Sequence, residues 1–241
     1  MTIRLEGIAA VSFDAVGTLF HLRAPVGEIY LERARRYGLD SSDPDLPRKL
    51  TDSFRRALAA QRPLAFANEP ADRIPTLERQ WWKSVVTTTF SSFERPRSFD
   101  AFFDDVYEMF RTADGWRLDP DSRSVLRALR DGGLKIGLVT NYDSRVLDVL
   151  ESLGMRRLFD QVAVSSLVGA AKPDPRIFHA ACAALSCAPA EAVHVGDDYE
   201  EDLQGAKQAG VHGLLYDPRG RYEGRNLPRI CELVDLLEIL V

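Results

Sequence analysis

The amino-acid sequence predicts an α/β fold: a parallel sheet with helices on both faces, plus one inserted α-helical domain. Two observations predict it. Short β-branched runs recur through the second half of the chain with helix-length segments between them, the rhythm of βαβ units. Between the first two such runs, residues 21–115 hold amphipathic helical stretches and no convincing strand.

Taken in order, the first strand is predicted over 8–13 (IAAVSF). Helical stretches follow over 25–37, 46–61, 74–92 and 99–112, with Pro63 and Pro70 breaking the middle and Pro75 suiting a helix start. Trp81 and Trp82 read as packing residues of the third stretch, since aromatic pairs in helices usually pack. Asp114-Gly115 and Pro120 mark the return to the sheet, and a helix over 121–131 stops at Gly132-Gly133 before the strand 135–140 (KIGLVT). Further strands are predicted over 161–165, 192–196 and 211–216. Leu233, Leu236, Leu237 and Leu240 give 229–240 the spacing of a helix packed on the core rather than a dimer seam. The expected domains are a sheet domain, 1–20 with 113–241, and a helical cap over 21–112.

The 241 residues are 45% hydrophobic and 28% charged, with a formal net charge of −5 and dispersed basic residues, which excludes the footprint of a nucleic-acid binder. The Arg-rich piece 33–36 alternates with Leu31, Ala34 and Tyr37 and reads as a solvated helix face. Cys182, Cys187 and Cys231 lack metal-ligand spacing and read as packing residues. Asp14 interrupts the apolar run 8–20, which has neither a basic n-region nor a small-residue cleavage site. No run reaches the roughly 18 apolar residues of a membrane span. The expectation is a cytoplasmic enzyme with no membrane partner; nothing in the pattern sets an oligomeric state.

In a parallel sheet the ligand lies beyond the C-terminal strand ends, and four of these carry chemistry. The first runs into Asp14-Ala15-Val16-Gly17-Thr18, an acid at a strand tip that could equally bond its own turn. The second ends in Thr140-Asn141-Tyr142-Asp143, donors for a tetrahedral anion or ordinary helix caps. Lys172-Pro173 follows the third, holding a long cation on an extended backbone, or a plain surface lysine. The fourth leads to Gly196-Asp197-Asp198 and on to Asp202, acids that would also suit a solvated helix N-terminus. Together the four supply a carboxylate nucleophile with the hard ligands, cation and donors that phosphoryl chemistry needs.

With these four motifs in order and a helical insertion after the first, the sequence resembles the haloacid dehalogenase superfamily of Rossmann-like hydrolases along essentially its whole length. The stretches FDAVGTLFHLRAPVGEIY, ERQWWKSVVTTTF and HVGDDYEEDLQGAKQAG resemble the subgroup named only haloacid dehalogenase-like hydrolase domain-containing proteins. The resemblance implies that Asp14 is a nucleophile forming an aspartyl intermediate, that Thr140 and Asn141 contact phosphate, and that Lys172 neutralises nucleophile and phosphate. It also implies Mg²⁺ held by Asp14, Asp197 and the Val16 carbonyl, with Asp202 as supporting carboxylate, and a small phosphorylated metabolite as substrate.

One position departs from the family pattern. Its phosphatases carry a second Asp two residues after the nucleophile, a general acid and base, where this chain has Val16. Losing such a group costs about 10²–10⁴ in rate. Three readings follow: a phosphatase for substrates with good leaving groups or with a surrogate acid from the cap, a 2-haloacid dehalogenase-like enzyme attacking carbon, or a phosphate- and metal-binding protein without turnover. A phosphonate-cleaving variant would need a cap lysine, and Lys49 and Lys83 have no activating neighbours in the sequence.

Overall fold

The run Ala10–Phe13 is buried along its whole length, and in the computed structural model, which describes residues 5–240, it is β1. The other strands are β2 (Phe20–Leu22), β3 (Trp116–Leu118), β4 (Lys135–Thr140), β5 (Gln161–Val164), β6 (Ala192–Gly196), β7 (His212–Tyr216) and β8 (Arg229–Ile230). Six of them form a sheet in the order β5-β4-β1-β6-β7-β8, with every neighbouring pair parallel. This is the expected α/β, Rossmann-like arrangement. Residues 1–4 and 241, which the sequence assigns to the sheet domain, lie outside the described residues.

The helices are α1 (Val26–Arg36), α2 (Leu46–Ala59), α3 (Ile74–Thr89), α4 (Phe99–Met109), α5 (Ser122–Asp131), α6 (Val146–Ser152), α7 (Ser165–Val168), α8 (Pro175–Leu185), α9 (Gly205–Gln208) and α10 (Asp235–Leu240). Both sheet faces are covered, as a parallel sheet requires. One apolar cluster joins Val11 and Phe13 to Leu126 and Leu129 of α5, Val149 of α6 and Leu236 of α10. The other joins Val139 and Ala163 to Ile177 and Phe178 of α8 and Ala206 of α9. The first four helices close over an aromatic cluster of their own, built on Tyr30, Leu50, Phe90 and Phe102.

Three expectations are corrected. β2 and β3, absent from the sequence reading, pair antiparallel where the chain leaves the sheet and returns, with Phe20 opposite Leu118 and Leu22 opposite Trp116. Three-residue strands are too short to show a period, and their partners lie far apart in sequence. The segment 229–240 is not one helix. Leu215 N–H donates to Pro228 O and Asp217 N–H to Ile230 O, recruiting Arg229–Ile230 as an edge strand. The Asp235 carboxylate accepts from the N–H groups of Cys231 and Glu232, so the helix begins only there. Cys182 packs in the core, but Cys231 is exposed.

Candidate active site

The strand order explains why the four motifs meet: β1 lies between β4 and β6, so Asp14, Thr140 and Asp197 leave three adjacent strand ends. Asp14 N–H donates to Val195 O at 2.8 Å, extending the β1–β6 ladder by one residue and fixing the start of the turn. Gly17 then turns with φ +104°, and a Cβ there would sit 2.4 Å from Asp197 Oδ1. Glycine is therefore required twice over, by backbone conformation and by the approach of Asp197. A Cβ on Gly196 would likewise meet the Asp202 carboxyl carbon at 2.1 Å.

Lys172 is buried, not a surface lysine. Its Nζ donates to Asp14 Oδ1 at 2.5 Å and to Asp202 Oδ1 at 2.6 Å. Asp202 sits in a π-helical turn, Tyr199–Gln204, of the kind often found at functional sites. Both its oxygens are engaged: Oδ1 also lies 3.0 Å from His194 Nε2, and Oδ2 accepts from Asp198 N–H. His194 Nδ1 in turn lies 2.9 Å from Ser12 Oγ. Asp202 thus holds Lys172 in place.

Carboxylate oxygens of Asp14, Asp197 and Asp202 lie within 4.8 Å of one another. Burial, with the neighbouring charges of Asp202 and Asp197, pushes the Asp14 carboxyl up to about 7 despite Lys172. Burial works against ionisation of Asp202 too, yet Lys172 and His194 hold it well below the usual carboxylate range. Burial also raises Asp197, although Arg221 Nη2 donates to its Oδ2 at 3.0 Å. Such an acid-rich, oxygen-only cluster fits a hard divalent cation. Asp14 gives one oxygen to Lys172 and Asp197 one to Arg221, whereas Asp202 is committed to protein donors.

Thr140 and Asn141 lie in the same cavity as Asp14, Val16, Lys172, Asp197 and Asp202. The Asn141 amide is engaged in joining loops. Its Oδ1 accepts from Lys172 N–H at 2.7 Å, and its Nδ2 donates to Lys172 O and to Glu201 Oε2, both at 2.9 Å. Trp82 packs against both apolar clusters and Trp81 packs edge-on against Trp82, but both also line the cavity, so the packing reading covers half their role. Lys49 and Lys83 pair with Asp43 and Asp100, away from it.

Several polar residues escaped the sequence reading. Buried Glu78 of α3 accepts from Ser144 N–H (2.9 Å), Ser144 Oγ (2.5 Å) and Ser166 Oγ (2.6 Å), tying the helical layer to the loop after β4 and to α7. Its position four residues before Trp82 and seven before Val85, on the apolar face, was the available signal. Asp143 does not cap α6, whose N-terminus has no side-chain cap bond; its Oδ1 accepts locally from Arg145 N–H, and the carboxylate holds the buried Arg145 guanidinium through both oxygens and accepts from Trp82 Nε1.

The chain matches the family model described as haloacid dehalogenase-like hydrolase over residues 8–210. It is 39% identical over 217 residues to the mouse haloacid dehalogenase-like hydrolase domain-containing protein 3, covering 89% of this chain and 84% of that protein. The human protein of the same name is 35% identical with the same coverage. Among solved structures, a HAD phosphatase from Thermococcus onnurineus superposes with a TM-score of 0.62 at 25% identity, over 97% of this chain and 98% of that one. A dehalogenase superposes with a TM-score of 0.72 at 20% identity, over 98% of each. With its strand-end carboxylates, buried lysine and parallel sheet, the chain belongs to the haloacid dehalogenase-like hydrolases.

Proposed function

We propose that the protein is a Mg²⁺-dependent phosphohydrolase acting on a small phosphorylated molecule, with Asp14 as the nucleophile. The observation that carries this reading is the contact of Asp14 with Lys172 and the convergence of Asp14, Asp197 and Asp202 within 4.8 Å, in a cavity that also holds Thr140. Asp14 attacks phosphorus, the P–O bond to the leaving group breaks, and the resulting aspartyl phosphate is cleaved by water. Lys172 offsets charge on Asp14 and on the incoming phosphate, while Thr140 Oγ1 donates to a phosphate oxygen. Asn141 keeps Lys172 and Glu201 in register with it. Asp14, Asp197 and the Val16 carbonyl would hold Mg²⁺, which supplies charge neutralisation to the transferred group. Residues 21–112 act as a cap that closes over these strand ends and excludes bulk water.

Val16 shapes the reaction. No carboxyl stands two residues after Asp14, so the leaving oxygen departs as an anion, which favours aryl and acyl phosphates over alkyl ones. Phosphate release from phenyl phosphate tests the reading: Asp14→Asn and EDTA should each abolish it, and full activity in either would overturn it. The non-acidic Val16 also favours a second reading, attack of Asp14 on a carbon bearing halide. Chloride release from chloroacetate in EDTA would establish that reading instead.

A further inference from the structure

The cavity above Asp14 has a volume of about 350 Å³, within the range of small-ligand pockets. Its charged lining residues are Asp14, Lys172, Asp197, Asp198, Glu201 and Asp202 at the strand ends, and Arg145. Arg145 is not free to receive an anion. Its Nε and Nη2 donate to Asp143, its Nη1 donates to Tyr107 O at 2.6 Å, and its guanidinium lies 3.6 Å from the centre of the Tyr107 ring. The buried pair is therefore internally neutral.

The rest of the wall comes largely from the helical layer and is apolar, with Val26, Phe54, Leu58, Val86 and Phe103 among its members. The polar tips of its large aromatics are mostly satisfied by the protein. Trp81 Nε1 donates to Arg62 O at 2.9 Å, Trp82 Nε1 to Asp143, and Tyr142 Oη to Phe110 O at 3.4 Å. The hydroxyls of Tyr30 and Tyr107 remain. Against that wall a sugar would lose water from several hydroxyls and find only those of Tyr30 and Tyr107 in exchange, and a second carboxylate or phosphate would meet no uncompensated cation among the lining residues.

We infer that the organic part of the substrate is an uncharged aromatic group, so that the natural class is aryl phosphate monoesters. This rests on the phosphohydrolase reading, which it deepens. Two independent features agree on the same molecule: the apolar aromatic wall selects an arene, and Val16 demands a leaving group that is stable as an anion, which a phenolate is.

Two measurements separate this inference from the reading beneath it. In the first, 2-naphthyl phosphate, phenyl phosphate, glucose 6-phosphate and phosphoglycolate are compared with Mg²⁺ present. The aryl esters should exceed the sugar and carboxylate esters by about 100-fold or more in kcat/KM, as expected when several hydroxyls or a charge go unpaired. In the second, 2-naphthol is titrated against the protein by intrinsic tryptophan fluorescence, which requires no turnover. Binding is expected, and Leu58→Asp, at a position already 39% exposed, should weaken it about tenfold. Glucose 6-phosphate turned over as well as 2-naphthyl phosphate, or no binding of 2-naphthol, would overturn the inference. Naphthol bound with no phosphate ester hydrolysed supports the aromatic pocket and sinks the phosphohydrolase reading alone.

Discussion

Replacing Val16 by Asp asks whether the machine lacks one part or several. Val16 lines the cavity two residues after Asp14, where its side chain is partly exposed, so a carboxyl there meets both the substrate and the acidic cluster. Phenyl phosphate and 2-phenylethyl phosphate both present an arene to the apolar wall and differ chiefly in the leaving oxygen. Phenol ionises near the value of a tyrosine side chain, about 10, and an alkyl alcohol far above it. A general acid should therefore add about 10²–10⁴ to the alkyl ester and much less to the aryl one. The opposing effect is charge: three carboxylates already approach within 4.8 Å, and a like charge at that separation costs about 3.5 kcal/mol at an effective dielectric of 20. The variant should consequently be less stable than the wild type in EDTA and recover with Mg²⁺. The assay is kcat/KM for both esters in both proteins, with Tm measured alongside. A variant that folds, recovers Tm with Mg²⁺ and gains nothing on the alkyl ester would falsify the view that Val16 alone limits turnover, and would favour a protein that binds without hydrolysing.

Three other expectations follow from the buried polar groups. Glu78→Ala removes the acceptor of three hydrogen bonds and should cost about 3 kcal/mol in urea unfolding, whereas Glu78→Gln, which keeps the shape and one acceptor oxygen, should recover most of it. Equal losses in the two variants would show that one remaining acceptor oxygen and the retained shape do not suffice, and would contradict the expected recovery. Arg145→Ala leaves the fully buried Asp143 without its cation and should cost about 3–5 kcal/mol, less when Asp143 is replaced as well; strict additivity in that cycle would contradict the pairing. In metal-free protein the Asp14 carboxyl binds its proton more tightly folded than unfolded, since its pKa is raised to about 7. That contribution is present below the unfolded value and is lost as pH rises through about 7. Tm in EDTA should accordingly fall between about pH 4 and pH 7, relative to the same protein with Asp14→Asn, and a flat difference between them would refute the shift.

The parts of the fold legible in sequence were those with a strong local signal. β4 and β6 are legible to the residue because short β-branched runs, broken only by His194 in β6, lie beside the punctuation of Gly132-Gly133 before β4 and Gly196 at the end of β6. The pairing of β2 with β3 was illegible because it joins distant three-residue segments, and β8 was hidden inside a leucine spacing that suits a helix. In the site, the residues at strand tips were legible since topology alone brings them together. Glu78, Asp143 and Arg145 were not, because their roles depend on how the helical layer seats on the sheet, a relation that periodicity does not encode.

The same division of labour bears on specificity. Asp14, Lys172 and Asp202 are fixed by the sheet, through the β1–β6 ladder and the π-helical turn, and their geometry owes little to the helical layer. The wall that would meet the organic group comes largely from that layer, which Glu78 and Trp82, one turn apart on α3, tie to Ser144, Ser166 and Asp143. On the proposed reading, chemistry and selection are therefore carried by separate elements joined through a few buried hydrogen bonds. Substitutions in the wall should move KM while leaving the Asp14–Lys172 contact intact, and loosening the ties should lower kcat and raise KM together, because an unseated cap both admits water and misplaces the substrate. On the same reading, Val16 lies on the boundary between the two, two residues after Asp14 on the sheet side and lining the same cavity. If the substrate is an aryl phosphate, it is the position at which the identity of the arene and the rate of its departure become one problem.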